Sequence, residues 1–153
     1  MKNLLFLITA LFFFASCETV DVYEKTEAFN DHNWSSNKKI SFTFTIADTT
    51  ASYNIFAVIR HTDAYHFNNM WLHLTTVAPD NSVSDQQIKI KLGNNVKGWL
   101  GSAIDDIIEH RALLNRVPVQ LKKGSYTFTL QQIMREDPLE YVMNAGIRIE
   151  KAK

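Results

Sequence analysis

Between Lys39 and Ile46 apolar and polar residues alternate without a break: Ile40, Phe42, Phe44 and Ile46 fall on one side of an extended chain, and Ser41, Thr43 and Thr45 on the other. A period of two, carried by aromatic, β-branched and threonine residues, specifies a strand with one face in a core and one in water. Such a strand needs neighbours to pair its backbone groups, so the rest of the chain has to supply a sheet.

It does so in short pieces. Asp48-Thr49-Thr50 makes a turn, and Tyr53 to Arg60 follows as a strand apolar on both faces, the pattern of a central strand. After a polar, aromatic-studded loop from Asp63 to Asn69, a third strand runs from Trp71 to Val77 and is closed by Pro79-Asp80-Asn81-Ser82, a plain turn signal. Gln87 to Leu92 alternates again with Ile88, Ile90 and Leu92 inward. Ser125 to Ile133 repeats the pattern through Tyr126, Phe128 and Leu130, and Ile147 to Lys151 ends it. Val117 to Leu121 is a short strand whose Pro118 belongs on a sheet edge. Ala103 to Leu114 has Ile104, Ile107 and Ile108 at helical spacing with Ser102 as a cap, and fits either one short helix or an irregular edge. Gly98 and Gly101 flank Trp99, which predicts a backbone bend that tucks the indole against the core. Together these elements predict an all-β fold: an antiparallel β-sandwich of jelly-roll or immunoglobulin-like character with at most one short helix.

The N-terminus has a different logic. Lys2 precedes an apolar run from Leu4 to Phe14, and the small residues Ala15 and Ser16 stand directly before Cys17. That order is a signal peptide, too short for a membrane span of about 20 apolar residues. A cysteine directly after the small pair is the acceptor of a lipoprotein lipid. Phe14-Ala15-Ser16-Cys17 matches a lipobox at three positions and departs from it at Phe14, where Leu is usual. Cys17 is the only cysteine in the chain, so it has no disulfide partner within it. No glycine follows Met1 and no C-terminal cysteine box is present, which removes myristoylation and prenylation. The organisation expected is a signal peptide over residues 1–16, a lipidated N-terminus and tether over 17–37, and a sandwich domain over 38–153. Membrane attachment then rests on lipid, since dual acylation holds where a single chain does not.

Sixteen basic residues balance sixteen acidic ones, which leaves no basic excess for nucleic acid. His61, Asp63, His66 and His73 are ordinary zinc-ligand types within a short span, but at no known ligand spacing, and read first as surface and loop residues. Asp105, Asp106 and Glu109, or Glu136 and Asp137, offer carboxylate pairs of the kind any chain this size carries. No Gly-x-Ser-x-Gly elbow, phosphate loop or dinucleotide fingerprint occurs. Neither a catalytic centre nor a metal or cofactor is expected. Trp71 and Trp99 suit a sandwich core, Trp34 fits a core or an exposed tether equally, and Tyr65 in its polar loop is the aromatic expected to be most exposed. Arg60 and Arg148 adjoin apolar strand positions and are expected to pair with carboxylates at the sheet surface. A partner or glycan surface, if there is one, would draw on Arg60, Tyr65, Asn68, Asn69 and Trp34.

Taken in order, Cys17, Asp48-Thr49-Thr50, Tyr53-Asn54-Ile55, Arg60, the loop from Tyr65 to Asn69, Gly98-Trp99-Leu100-Gly101, Met134-Arg135-Glu136 and Gly146-Ile147-Arg148-Ile149-Glu150-Lys151 resemble the GldH family of gliding motility lipoproteins. The likeness covers nearly the whole mature chain. It implies a Bacteroidetes-type cell-envelope lipoprotein of the gliding motility machinery, lipid-anchored in the outer membrane, with other envelope or gliding-machinery proteins as partners. It implies no catalytic residues. A glycan-binding envelope lipoprotein is the alternative that the aromatic residues keep open.

Overall fold

The computed structural model of the protein describes residues 22–152. The signal peptide and Cys17 lie outside the described residues. Two antiparallel sheets face each other. The larger is built from β1 (Val22–Ala28), β12 (Val142–Lys151), β3 (Ser52–Thr62), β9 (Ile107–Leu113) and β8 (Ser102–Ile104), in that order, with the short β10 (Val119–Gln120) paired to the start of β3. The smaller runs β2 (Ile40–Ile46), β11 (Gly124–Gln132), β4 (Asn69–Val77), β5 (Val83–Lys91), and a separate small hairpin pairs the two-residue strands β6 (Gly93–Asn94) and β7 (Gly98–Trp99). The architecture is the all-β antiparallel sandwich that the alternation demands.

Inner faces follow the period of two. In β2 burial alternates strictly, with Ile40, Phe42, Phe44 and Ile46 inside. On β11 Tyr126, Phe128 and Leu130 match them, and Phe44 stacks on Phe128 with ring centroids 5.2 Å apart. Ala57, Val58 and Ile59 of β3 are all fully buried, as suits a strand flanked by β12 and β9. Outside, the smaller sheet carries a ladder of hydroxyl pairs, Ser41 with Thr129 at 2.7 Å and Thr43 with Thr127 at 2.8 Å. The larger sheet carries ions instead, with Arg148 reaching Glu24 and Glu150 at 2.8 Å each.

Two expectations are corrected and one open alternative is decided. The tether does not extend to residue 37, because Val22–Ala28 is a strand in register with β12, Val22 opposite Glu150 and Ala28 opposite Asn144. Its polar sequence hides it, since an edge strand needs only one good face, and Tyr23 provides that face by packing on Phe44 at 5.2 Å. Gly146 makes the approach possible: a Cβ there would run into the Lys25 carbonyl. Second, residues 103–114 form no helix but the β8–β9 hairpin, in which Ile104 pairs with Ile107 across Asp105, whose φ of 54° makes the turn. Third, Trp71 is not a core residue. Met70 and Leu72 take the inner face of β4, so the period of two turns the indole outward, where it is 39% exposed. The Pro118 segment does lie at a sheet edge, directly before β10.

Strand direction gives the molecule two poles. Val22 enters at the pole that also holds the turns at 46–52, 77–83 and 113–124. The far pole holds residues 29–39, the β3–β4 loop, the stretch from Leu92 to Ile107, and the β11–β12 loop.

Candidate functional site

A groove of about 660 Å³ opens at the far pole, lined by the β3–β4 loop from Tyr65 to Asn69, by Trp71, Asn95 and Trp99, and by Ile133, Met134 and Arg135. Three of the segments that carry the family resemblance therefore meet here, although they are far apart in sequence. The loop is held by its backbone: the Asn68 carbonyl accepts from the Leu92 and Gly93 N–H groups at 2.8 and 2.9 Å. Gly98 has a φ of 73°, which lets the β6–β7 hairpin close and sets Trp99 over the core. Trp99 is half-buried, and its indole N–H donates to Asp63 Oδ1 at 2.6 Å.

Beneath the groove lies a buried histidine pair: His61, read from the sequence first as a surface or loop residue, is fully buried beside His110, which the sequence does not flag. His61 Nδ1 is 2.7 Å from the Thr62 carbonyl, which can only accept, so Nδ1 carries the proton. Its Nε2 then accepts from His110 Nε2–H at 2.9 Å. Burial pushes both imidazoles down, and His110 is lowered to about 4 by burial and by the neighbouring His61. Tyr65 and Trp99 pack on the His61 ring, with centroids 4.9 and 4.5 Å away. His110 would have been visible had β9 been read as a strand, since Ile108 and His110 alternate to the inside.

Tyr65 is thus not the exposed aromatic expected: it is buried, burial raises its phenol, and its hydroxyl donates to the Asn69 carbonyl at 3.1 Å. Trp34 is no surface residue either. It is fully buried at the far pole, stacked on Phe29 at 4.8 Å, and its indole N–H donates to the Lys38 carbonyl at 2.8 Å. Arg60 lies on the outer face of the larger sheet, in an ion pair with Glu109, away from the groove lining. Of the residues singled out in the sequence, Asn68 and Asn69 line the groove with their side chains accessible.

The histidines do not converge on one metal. His61 is bonded to His110, His73 stands 3.5 Å from Asp85 on the outside of the smaller sheet, and Asp63 holds Trp99. His66 joins a different set. Its Nδ1 meets Glu136 Oε2 at 2.8 Å, and Glu140 adds a third ligand-type atom, all within 4.8 Å of one another. The hydrogen bond to Glu136 raises the His66 imidazole. Burial pushes the Glu136 carboxyl up, but the His66 and Glu140 N–H groups outweigh it and hold it below its ordinary value. These three residues are of ligand types that could take a divalent cation at the groove rim.

The profile of the GldH lipoprotein family matches residues 21–149. Over 152 residues, 95% of this chain and 93% of the relative, the sequence is 26% identical to a protein of Christiangramia forsetii called gliding motility lipoprotein GldH homolog. It is 25% identical over 158 residues, 99% and 98% of the two chains, to the gliding motility lipoprotein GldH of Flavobacterium johnsoniae. Among solved structures, a carbohydrate-binding module specific for non-crystalline cellulose aligns with a TM-score of 0.49 at 7% identity, over 85% of this chain and 73% of that one, too distant to bear on function. With most of its length matched by the family profile, this chain belongs to the GldH lipoprotein family.

Proposed function

We propose that this protein is a lipid-anchored component of a gliding motility apparatus that acts through protein contacts and performs no reaction of its own. Its relatives bear the names of gliding motility lipoproteins, not of enzymes. Cys17 carries the lipid in this reading, and the outer membrane is where it is held. Cys17 precedes Val22 by five positions, and at about 3.6 Å per residue the entry pole stays within roughly 18 Å of the acyl chains. The seven residues of β1 then run about 24 Å away from that pole. The far pole therefore faces outward from the bilayer.

The observation that carries the contact reading is the chain between Gly93 and Ile107 at that pole. It exposes Val96, Leu100 and Ile104 at 92%, 48% and 76%, which is apolar surface of the kind that partners cover. Val83, Leu113 and Val117 are also exposed, but at the entry pole, where Arg116 and Lys123 accompany them and the bilayer is the nearest surface. The test is deletion of the gene in the native host, complemented by wild type, by Cys17→Ala and by a triple Val96→Ser, Leu100→Ser, Ile104→Ser variant. Movement restored by wild type alone is the expected result. Full rescue by Cys17→Ala would refute the anchor, and full rescue by the triple variant would refute the contact surface.

A further inference from the structure

We infer that the far-pole groove binds a saccharide chain bearing acidic groups, an inference that rests on the far pole being the recognition end of the molecule. Three features of the groove carry it. The first is Trp71, an indole 39% exposed on the outer side of β4, whose N–H has no acceptor among the described residues. A pyranose ring offers a C–H face to such an indole and hydroxyls to the groups around it.

The second feature is three side-chain amides. Asn69 reaches Asn68 and Asn68 reaches Asn95, each at 3.4 Å, the outer limit of a hydrogen bond. Neighbouring sugar hydroxyls both donate and accept, and an amide does the same, so these long contacts are easily exchanged for shorter ones to a ligand. A protein partner would seek a dry apolar centre here; the amides provide a wet one.

The third feature is charge. Arg135 lines the groove and Lys89 lies over the Trp71 ring, 5.7 Å from its centroid, and neither has a carboxylate partner among the described residues. Of the acids close by, Glu136 is held by His66 and Asp63 by Trp99, and Glu140 stands beside His66 and is not among the lining residues. Arg135 in the groove lining and Lys89 over one face of the indole select a ligand that carries carboxylate or sulfate, and the guanidinium fork of Arg135 suits either one. The groove's volume of about 660 Å³ lies inside the usual range for small-molecule sites, roughly 300–1,000 Å³, enough for a short run of rings.

The experiment is titration calorimetry on the full-length lipidated protein in detergent, with oligogalacturonate, alginate oligomers and heparin fragments as acidic probes, methyl-esterified oligogalacturonate as the neutral form, and oligoglutamate as an acidic chain without sugar rings. At least one acidic saccharide is expected to bind. Trp71→Ala should weaken that binding about tenfold or more, and Arg135→Ala should remove the preference for oligogalacturonate or its acidic counterparts over the ester. Both residues are surface-accessible, so an unchanged melting temperature will show that the variants fold. Flat titrations with all three acidic saccharides would overturn the inference, as would binding untouched by both substitutions. Oligoglutamate binding tighter than any saccharide, with the same dependence on Trp71, would assign the groove to acidic peptide instead. If calorimetry is flat while Cys17→Ala still abolishes movement, only the saccharide falls and the anchored-contact reading stands.

Discussion

The two poles of the sandwich part company at the far-pole groove, where polar groups are left open. At the entry pole nearly every turn closes on itself. Asp48 Oδ1 accepts from the Thr50 N–H and hydroxyl at 2.9 and 2.7 Å, and Asp80 does the same for Ser82 while also holding Lys122 at 2.7 Å. Asn115 accepts from the Ile55 N–H at 2.7 Å and donates to the Tyr53 and Val117 carbonyls. The far pole also closes turns with short bonds, the Asp137 carboxylate accepting from the Ser36 N–H and hydroxyl at 2.7 and 2.6 Å and Asn94 Oδ1 from the Val96 N–H at 2.8 Å. In its groove, however, the Asn68 and Asn69 amides make only 3.4 Å contacts, Arg135 has no ion partner among the described residues, and the Trp71 indole N–H is open. Exposed apolar residues occur at both ends, so they do not separate the poles. What does is the groove: both ends spend hydrogen bonds on holding turns, and the far pole in addition leaves a set of polar groups open around one groove.

The contrast can be broken most forcefully at Trp34, because the far pole offers polar groups outward only if a packed base supports it. Trp34→Ala should cost about 4 kcal/mol in urea unfolding; a loss under about 1 kcal/mol would mean that the far pole has no such base. Acid comes next. An unfolded His110 binds its proton near the ordinary value of 6.5, and the folded one only near 4, so the unfolded state is favoured progressively as pH falls between the two. Stability is complete above about 6.5 and should drop by about 3 kcal/mol on reaching pH 4. His110→Gln should flatten that slope, and an equally steep slope in the variant would move the acid sensitivity elsewhere. Gly101→Ala should have a smaller effect, about 2 kcal/mol, because a Cβ there would run into the Glu109 backbone that anchors the hairpin. The smallest effect belongs to the entry pole. The Thr50 hydroxyl and N–H hold the Asp48 carboxyl below its ordinary range, and the Lys122 ammonium, then the Ser82 hydroxyl and N–H, do the same for Asp80. Their contribution is present above that range and lost as pH falls through it, and solvent screens it strongly. Asp48→Asn and Asp80→Asn should barely move the midpoint of unfolding at pH 7 and should flatten only the most acidic limb. A large loss at pH 7 would place more of the fold's stability in those turns than the contrast allows.

How much of this was legible in the sequence depends on whether the cause is local. β2 and β11 could be read directly, because alternation of Phe42 and Phe44 with Thr43 and Thr45 is a local property. β1 could not, since Val22–Ala28 is a strand only because Gly146 leaves room for it on β12. The β8–β9 hairpin was ambiguous because Ile104, Ile107 and Ile108 fit both helical spacing and a tight turn at Asp105. The outward Trp71 was within reach, as Met70 and Leu72 on either side already claim the inner face. In the groove, the Tyr65–Asn69, Trp99 and Met134–Arg135 segments stood out individually. Their meeting, and the burial of Tyr65 over His61, arise from the pairing of β3 with β9 and β12, which no window of sequence contains.

The central claim is that the far pole faces away from the membrane that holds the protein. With Cys17, the only cysteine in the chain, taken up by the proposed lipid, a cysteine introduced by Thr49→Cys at the entry pole or Lys97→Cys at the far pole can carry a single fluorophore in the protein on vesicles. With a quencher placed in the lipid headgroups, the label at position 49 should be quenched strongly and the label at 97 weakly, a separation of some ~20 Å or more over the length of the strands. Equal quenching, or stronger quenching at 97, would contradict the orientation and with it the assignment of the far pole to recognition.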